Sequence, residues 1–360
     1  MDNKMVSIVA VIILIVAAVG VGAYFLLKDD DKGGNSYETV TDAAGNSIKL
    51  DSAPERIVTT TVTATEDICD LGMRSALVGV SLDSHVYDVS TKVNGLDLTF
   101  EYPSTIEKDI EDGKLASVGK STKWTAETVA ACNPDLVIMD YNQISSDDSR
   151  MKQLQSLGIT CVVLYSENGW DKINENITML GNILAKQDRA KEITDATIAA
   201  DKMIMEKFSG QKSMKVAHIC YCFGSYYIYN ESGPINVAIS LGCTNAIPTT
   251  KSFATITPED IAAANPDYII FDDMATNLVW SDVIASWKSD AVMGEIPAIK
   301  NDQFSCMEFQ PFQATSYTTV HYIQGEGILA TMLYPKVVDS SIPQIVTSAD
   351  WISYLSWMDE

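Results

Sequence analysis

The sequence predicts an α/β fold of two similar lobes joined by one long helix. Three observations carry this. Apolar β-branched runs alternate with amphipathic helical stretches, the pattern of an open, mostly parallel sheet with helices on both faces. One unit occurs twice, as "TAETVAACNPDLVIMD" at 125–140 and "TPEDIAAANPDYIIFDD" at 257–273. Between the copies, Ile193, Ala196, Ala200, Ile204 and Phe208 recur at helical spacing with Lys and Glu among them, which reads as one long amphipathic helix.

The elements follow in order. "YETVTDAAGNSIKL" reads as two short strands around a Gly-Asn turn. "RIVTTT" is a β-branched strand, followed by the helical "ATEDICDLGM" and the strand "ALVGVS". Residues 82–114 form an irregular insert, and loops of that length are often functional. The first copy of the repeat then gives a short helix, an Asn-Pro break and a buried strand. "DDSRMKQLQSLGITCVVLY" repeats helix then strand. After the long helix, "GQKS" reopens the alternation with "MKVAHICYC", "YYIYN" and "INVAISLGC" before the second copy.

Thr125 and Thr257 each stand where a helix N-cap belongs, and Pro258 occupies a first-turn position where its missing N–H costs nothing. Asn133-Pro134 and Asn265-Pro266 end the helices, because a residue before proline avoids the helical region. The loop entering the first copy contains "VGKST", which resembles the end of a phosphate-binding loop. The required glycine five places ahead of Gly119 is absent, since Lys114 stands there. The loop entering the second copy is "PTTKSF", so the resemblance to a nucleotide site is incidental.

At 360 residues the chain has room for two lobes, and 46% hydrophobic content supplies their cores. A net charge of −23 argues against nucleic acid as a partner and against broad contact with anionic lipid. The uncharged run from Val6 to Leu27 is long enough to cross a bilayer, which takes about 20 apolar residues. It is read as a transmembrane anchor, with a signal segment as the alternative, and the acidic domain is placed on the extracytoplasmic side. The expected divisions are anchor and linker at 1–36, N-terminal lobe at 37–168, inter-lobe helix at 169–210 and C-terminal lobe at 211–360. The seven cysteines include no C-x-x-C pair. They read as buried thiols; for Cys220 and Cys222, on one face of a strand, a metal or disulfide is the sharper alternative.

Four segments together resemble the substrate-binding proteins of ABC importers for metal chelates, the group that captures corrinoids, haem and ferric siderophores. They are "VTDAAGNSIKLDSAPERIV", "TATEDICDLGMRSALVGVS", the two Pro-Asp units and "ILATMLYP". The resemblance runs from about 37 to 340 and implies two Rossmann-like lobes with mostly parallel central sheets, a connecting helix and a ligand cleft between the lobes. It implies no intrinsic cofactor, a monomer, and an ABC permease with cytoplasmic ATPase subunits as the partner. Independently of any family, ligands of open α/β sheets bind beyond the carboxyl ends of the strands.

Candidate ligand-binding residues follow from those ends. Thr63 and Thr65 follow the first strand. Trp124 and Phe253 precede the two repeated helices, where the resemblance puts side chains against ligand. Tyr141 ends "LVIMDY", Phe223 and Tyr226 follow "HICYC", and Glu308 and Phe309 follow "FSCM". His85 and Tyr87 lie in the irregular insert. Convergent aromatics suit a large, flat or greasy ligand better than a small ion. Of the three histidines, His218 and His321 read as structural, and His85 is the one placed to ligate a chelated metal. Arginine is limited to Arg56, Arg74, Arg150 and Arg189, and only Arg150 approaches a cleft position. That scarcity leans away from strongly anionic siderophores, since carboxylates favour bidentate Arg pairing.

Glu127 and Glu259 recur at the same place in both copies. An acid in the first helical turn complements the helix dipole. The resemblance adds a role, as paired carboxylates that dock onto basic pockets of the permease. The competing reading is a membrane-anchored metal-dependent or chelatase-like enzyme on a related two-lobed fold, although the sequence has no H-E-x-x-H and no G-x-S-x-G.

Overall fold

The computed structural model describes residues 35–360 except 82, 84–92, 101–103, 121, 142–147, 168, 230, 231, 252 and 274–277. Tyr37–Glu360 forms one compact unit. The apolar N-terminal run, His85 and Tyr87 lie outside the described residues. Among the described residues no helix is long and apolar enough to cross a membrane.

The chain opens with a hairpin of β1 (Val40–Thr41) and β2 (Ser47–Ile48). The N-terminal lobe then alternates strands and helices: β3 (Ile57–Thr59), α1 (Val62–Asp70), β4 (Leu77–Val80), α2 (Ile106–Glu111), β5 (Ala116–Ser117), α3 (Ala126–Ala130), β6 (Leu136–Asp140), α4 (Ser149–Ser156) and β7 (Thr160–Leu164). Its sheet has the order β5-β4-β3-β6-β7 with every pair parallel. Side chains alternate between its faces. Val58, Val137, Met139 and Val163 pack under Trp124, Val129, Met151 and Leu154. Ile57, Leu136, Ile138 and Val162 belong to a larger core that continues into the second lobe.

The segment expected to be one inter-lobe helix is two. Helix α5 (Trp170–Ile183) packs back against α6 (Gln187–Lys207), and only the latter, 21 residues long, makes the connection. The reversal occurs where Ala185 takes a left-handed conformation (φ 53°), with neither Gly nor Pro to mark it in the sequence. The two helices approach closely enough that a Cβ at Gly181 would lie 2.4 Å from the Ala190 side chain.

The C-terminal lobe comprises β8 (Lys215–Cys222), β9 (Ser225–Tyr229), α7 (Gly233–Ser240), β10 (Thr244–Asn245), β11 (Phe253–Ile256), α8 (Pro258–Ala264), β12 (Tyr268–Asp272), α9 (Trp280–Ser289), α10 (Pro297–Lys300), β13 (Phe304–Met307), α11 (Phe309–Ser316), α12 (Tyr322–Leu333) and β14 (Ile345–Val346). Its sheet runs β11-β9-β8-β12-β13-β14, with β10 also on β8. Strand β9 is antiparallel to both neighbours, so this sheet is mixed where the first is parallel throughout. The cause is a two-residue turn, Phe223-Gly224, with both residues at positive φ, which closes β8 and β9 into a hairpin. One sheet face carries Ile219, Phe271, Trp280 and Trp287, and the other joins the core shared by both lobes.

The repeated unit folds the same way twice. Thr125 and Thr257 cap their helices with reciprocal bonds to Thr128 and Asp260. Asn133 and Asn265 both adopt φ near +48° (49° and 46°) to leave the helix. The Asp after each proline then anchors its lobe's first long strand: Asp135 accepts the N–H of Glu55 and of Arg56, and Asp267 accepts that of Lys215. Arg56 and Lys215 also donate to the carbonyls at the end of the preceding repeat helix. The Asn-Pro-Asp signature is therefore a helix stop joined to a strand anchor.

Candidate functional site

The carboxyl ends of the parallel strands gather most of the described candidates. At the end of β3, Thr61 caps α1 by accepting the Ala64 N–H, which puts Thr63 and Thr65 in the first helical turn. Both are buried, and the Thr65 hydroxyl is already engaged with Thr59 at 2.7 Å and with the Thr61 carbonyl at 2.8 Å. Tyr141 leaves the end of β6 with 47% of its surface exposed.

Trp124 differs from its expected placement. Only 2% of it is exposed, and it sits in the lobe core with the Arg150 guanidinium stacked 4.2 Å above its ring. The helix that follows draws the ring inward because Ala126 and Val129 pack beside it. Arg150 itself pairs with Asp148 through Nε and Nη2, and holds the Asp148 carboxyl below its usual range. The other arginines are also bound into the fold: Arg56 at the repeat, Arg74 to Asp109, and Arg189 to the carbonyls of Asp70 and Thr99.

In the C-terminal lobe, Phe223 stands 86% exposed at the hairpin tip with φ 52°, a conformation that ordinarily belongs to Gly or Asn. Phe253, 43% exposed, stacks face to face on Tyr227 (4.6 Å, 9°) and contacts Tyr229 at 5.1 Å. Tyr229 in turn stacks on His218. An aromatic ladder thus climbs from the interior to an open ring face. Tyr226 points the other way, against Tyr221 and Trp287, so alternation along β9 places it in packing rather than on this ladder. Glu308 precedes α11 and its Oε2 accepts the Ser348 N–H at 2.7 Å, which fastens the C-terminal strand loop; Phe309 next to it is half-buried.

The buried histidines are satisfied. His218 Nδ1 lies 2.5 Å from Ser232 Oγ and Nε2 lies 2.8 Å from Asp272 Oδ2. This Ser–His–Asp line is sealed in the core, and its serine caps α7 through the Ile235 N–H. His321 lies at the lobe junction, with Nδ1 3.3 Å from Gln324 Oε1 and Nε2 3.8 Å from Glu66 Oε2. Burial pushes its pKa down to about 4, against which the Gln324 contact works, so the ring is neutral at pH 7 and its approach to Glu66 is not an ion pair.

An unfolded imidazole titrates near 6.5, so the unfolded chain takes up the proton first. Stability is lost as pH falls from about 6.5 towards 4, by roughly 2–3 kcal/mol from this group. His321→Gln should therefore lose less stability than the wild type between pH 7 and pH 4.5 in urea titrations. Equal losses would place the acid sensitivity elsewhere.

All seven cysteines are buried free thiols, and burial pushes Cys161 up to about 12. Cys220 and Cys222 share a face with their sulfurs 3.5 Å apart. No group of three or more His, Cys, Asp or Glu side chains among the described residues is arranged to hold a metal ion.

Sequence reasoning missed the polar content of the lobe junction. Helix α1 carries Glu66, Asp67 and Asp70, yet all nine of its residues are buried. The available signal was that Ala64, Ile68 and Leu71 flank these acids, leaving no consistently polar stripe.

Glu127 and Glu259 are both exposed in the first turns of their matching helices. The helix backbone N–H first, and then Thr125, hold the Glu127 carboxyl below its usual range.

The family model for periplasmic binding proteins matches residues 57–311. A cobalamin-binding protein of Halobacterium salinarum is 24% identical over 250 residues, which covers 67% of this chain and 60% of that protein. The chain thus spans less than two thirds of that relative's length. An uncharacterised ABC transporter substrate-binding lipoprotein of Bacillus subtilis, YvrC, is 23% identical, covering 65% of this chain and 69% of the relative. Among solved structures, the periplasmic heme-binding protein RhuT from Roseiflexus, in apo form, superposes with a TM-score of 0.60 at 18% identity, covering 79% of this chain and 99% of the other. That last likeness is one of fold.

Proposed function

This chain belongs to the periplasmic binding protein family, and we propose that within it the chain is the extracytoplasmic substrate-binding component of an ABC importer for a metal chelate. The chelate is a corrinoid, a haem-like ring or a ferric siderophore. The observation that carries the reading is the aromatic ladder from His218 through Tyr229 to the exposed Phe253, itself stacked on Tyr227, with a second exposed phenylalanine, Phe223, held at the left-handed turn between β8 and β9. Exposed aromatic faces at strand ends suit a large ring system, and backbone strain at an exposed apolar residue is a common mark of a binding surface. The relatives whose names state a ligand or a transport role point the same way.

In this reading Phe223, Phe253 and Tyr141 contact the chelate, with Thr63 and Phe309 at the rim. Glu127 and Glu259 dock onto the permease, whose ATPase subunits supply the energy. Residues 6–27 anchor the protein, as a monomer, in the cell membrane. The family match lends no support to the enzyme alternative.

Titration of the full chain with cyanocobalamin, haemin and a ferric trihydroxamate tests the reading. One of them should bind with micromolar affinity or better; failure of all three contradicts it. Phe223→Ala and Phe253→Ala should each weaken that binding about five- to tenfold, the worth of one stacking contact of about 1 kcal/mol. Neither side chain is a core element, so the melting temperature should stay within a degree or two of wild type.

A further inference from the structure

Asp67 is a physical anomaly. It is fully buried on α1, and neither carboxyl oxygen has a hydrogen-bond partner among the described residues. Burial, and next Asp70 and Asp140, push its pKa well up. Buried carboxyl groups are ordinarily compensated by hydrogen bonds or charge, and an exception calls for an explanation. Among the described residues no group of three or more His, Cys, Asp or Glu side chains is arranged to hold a metal ion.

The C-terminal lobe has the same deficit in and just after α11. Gln313 is 1% exposed; its Nε2 donates to the Tyr317 hydroxyl at 2.8 Å, while Oε1 has no partner. The Thr319 hydroxyl, and the Thr60 hydroxyl at the end of β3, are fully buried and likewise without partner. The two sides meet here. Thr318 Oγ1 donates to the Glu167 carbonyl at 3.3 Å, and His321 lies 3.8 Å from Glu66. Asp140, at the end of β6, acts electrostatically on both Asp67 and the Tyr317 hydroxyl. The unfilled atoms are two carboxyl oxygens, one amide oxygen and two hydroxyls. The amide oxygen can only accept, and so can both Asp67 oxygens once the carboxyl gives up the proton that burial favours, as it would on meeting an ammonium or amide N–H. Such a set is complementary to N–H donors and repels carboxylates.

We infer that the lobe junction is the subsite for an N–H-bearing group of the chelate, an ammonium or a primary amide, accepted by Asp67 from one lobe and Gln313 from the other. This rests on the chelate-binding reading above and adds to it a preference among chelates. Ligands edged with amides or amines fit; ligands edged with carboxylates do not.

The test uses the full chain and four probes: cyanocobalamin, with its amide rim; ferrioxamine B, a ferric trihydroxamate with a free ammonium group; the N-acetylated form of the latter; and haemin, with two carboxylates. The tightest binder should be cyanocobalamin or ferrioxamine B. Asp67→Asn and Gln313→Leu should each weaken that binder at least tenfold, and Asp67→Asn should do so with an unchanged or raised melting temperature. That combination distinguishes a ligand acceptor from a structural acid. Tightest binding of haemin, binding of haemin as tight as that of the acetylated probe, or affinity within twofold of wild type in both variants, would overturn the inference and leave chelate binding intact. Absence of binding by all four probes would overturn both.

Discussion

Reversing both repeat glutamates, Glu127→Arg with Glu259→Arg, is expected to abolish uptake through the cognate permease while leaving ligand affinity and fold unchanged. Each side chain is exposed in the first turn of a helix whose cap is made by its threonine and its third residue, so neither glutamate is needed for folding. Exposed acids at a helix start are screened by solvent and contribute little to stability, and a reversed charge there costs correspondingly little. Docking is different, because charge complementarity sets encounter and register, and a like charge facing a basic pocket opposes both. Uptake of radiolabelled ligand in cells carrying the double variant checks this, beside a binding titration of the purified protein. Uptake at the wild-type rate would remove the glutamates from the docking surface. Lost ligand affinity would place them in the binding site instead.

The second large effect concerns the seam between the connecting helix and the C-terminal lobe. Glu326 on α12 is buried and accepts the Trp170 indole N–H at 3.1 Å. Burial first, and then the neighbouring Asp201 of α6, push its pKa up to about 9, and burial raises Asp201 as well. The two carboxyl groups share a proton at neutral pH. A folded pKa above the unfolded value of 4.5 means stability that is complete below about 4.5 and declines as pH rises through about 9. Glu326→Gln keeps the acceptor for Trp170 and supplies a permanent N–H for Asp201. It should be more stable than wild type at pH 8 by several kcal/mol, on the order of 4 for three pH units of titration avoided, and close to wild type at pH 5. Chemical denaturation at the two pH values measures it. Equal stability at pH 8 would mean that Glu326 is ionised in the folded protein.

The repeated unit was the most legible part of the sequence because its determinants are local. Thr125 and Thr257 cap helices, Asn133 and Asn265 stop them, and the strands behind are uniformly apolar. Phe223 was legible as an aromatic just after β8, whereas Phe253, read as part of the loop before the second repeat helix, instead opens strand β11. What escaped depends on distant packing. Trp124 turns inward where Ala126 and Val129 pack beside it and Arg150 and the α4 side chains close over it, and the second half of that cover lies some 25 positions away. The turn at Ala185 has no Gly or Pro to announce it, so two packed helices read as one. Tyr226 was one position out on an alternating strand, and that is enough to move a ring from one sheet face to the other. The buried acids of α1 contradict the rule that Asp and Glu stay at the surface, and such violations concentrate where function imposes them.

The central claim, that this protein captures a metal chelate between its lobes, is tested most directly by native mass spectrometry of the full chain purified from its own cells, with an absorbance spectrum of the same sample. The account predicts one intact chelate per chain, with the visible absorption of a metal–ligand chromophore, displaced on denaturation with its mass unchanged. A chain that carries no chelate and retains none after incubation with cyanocobalamin, haemin or a ferric trihydroxamate would contradict it.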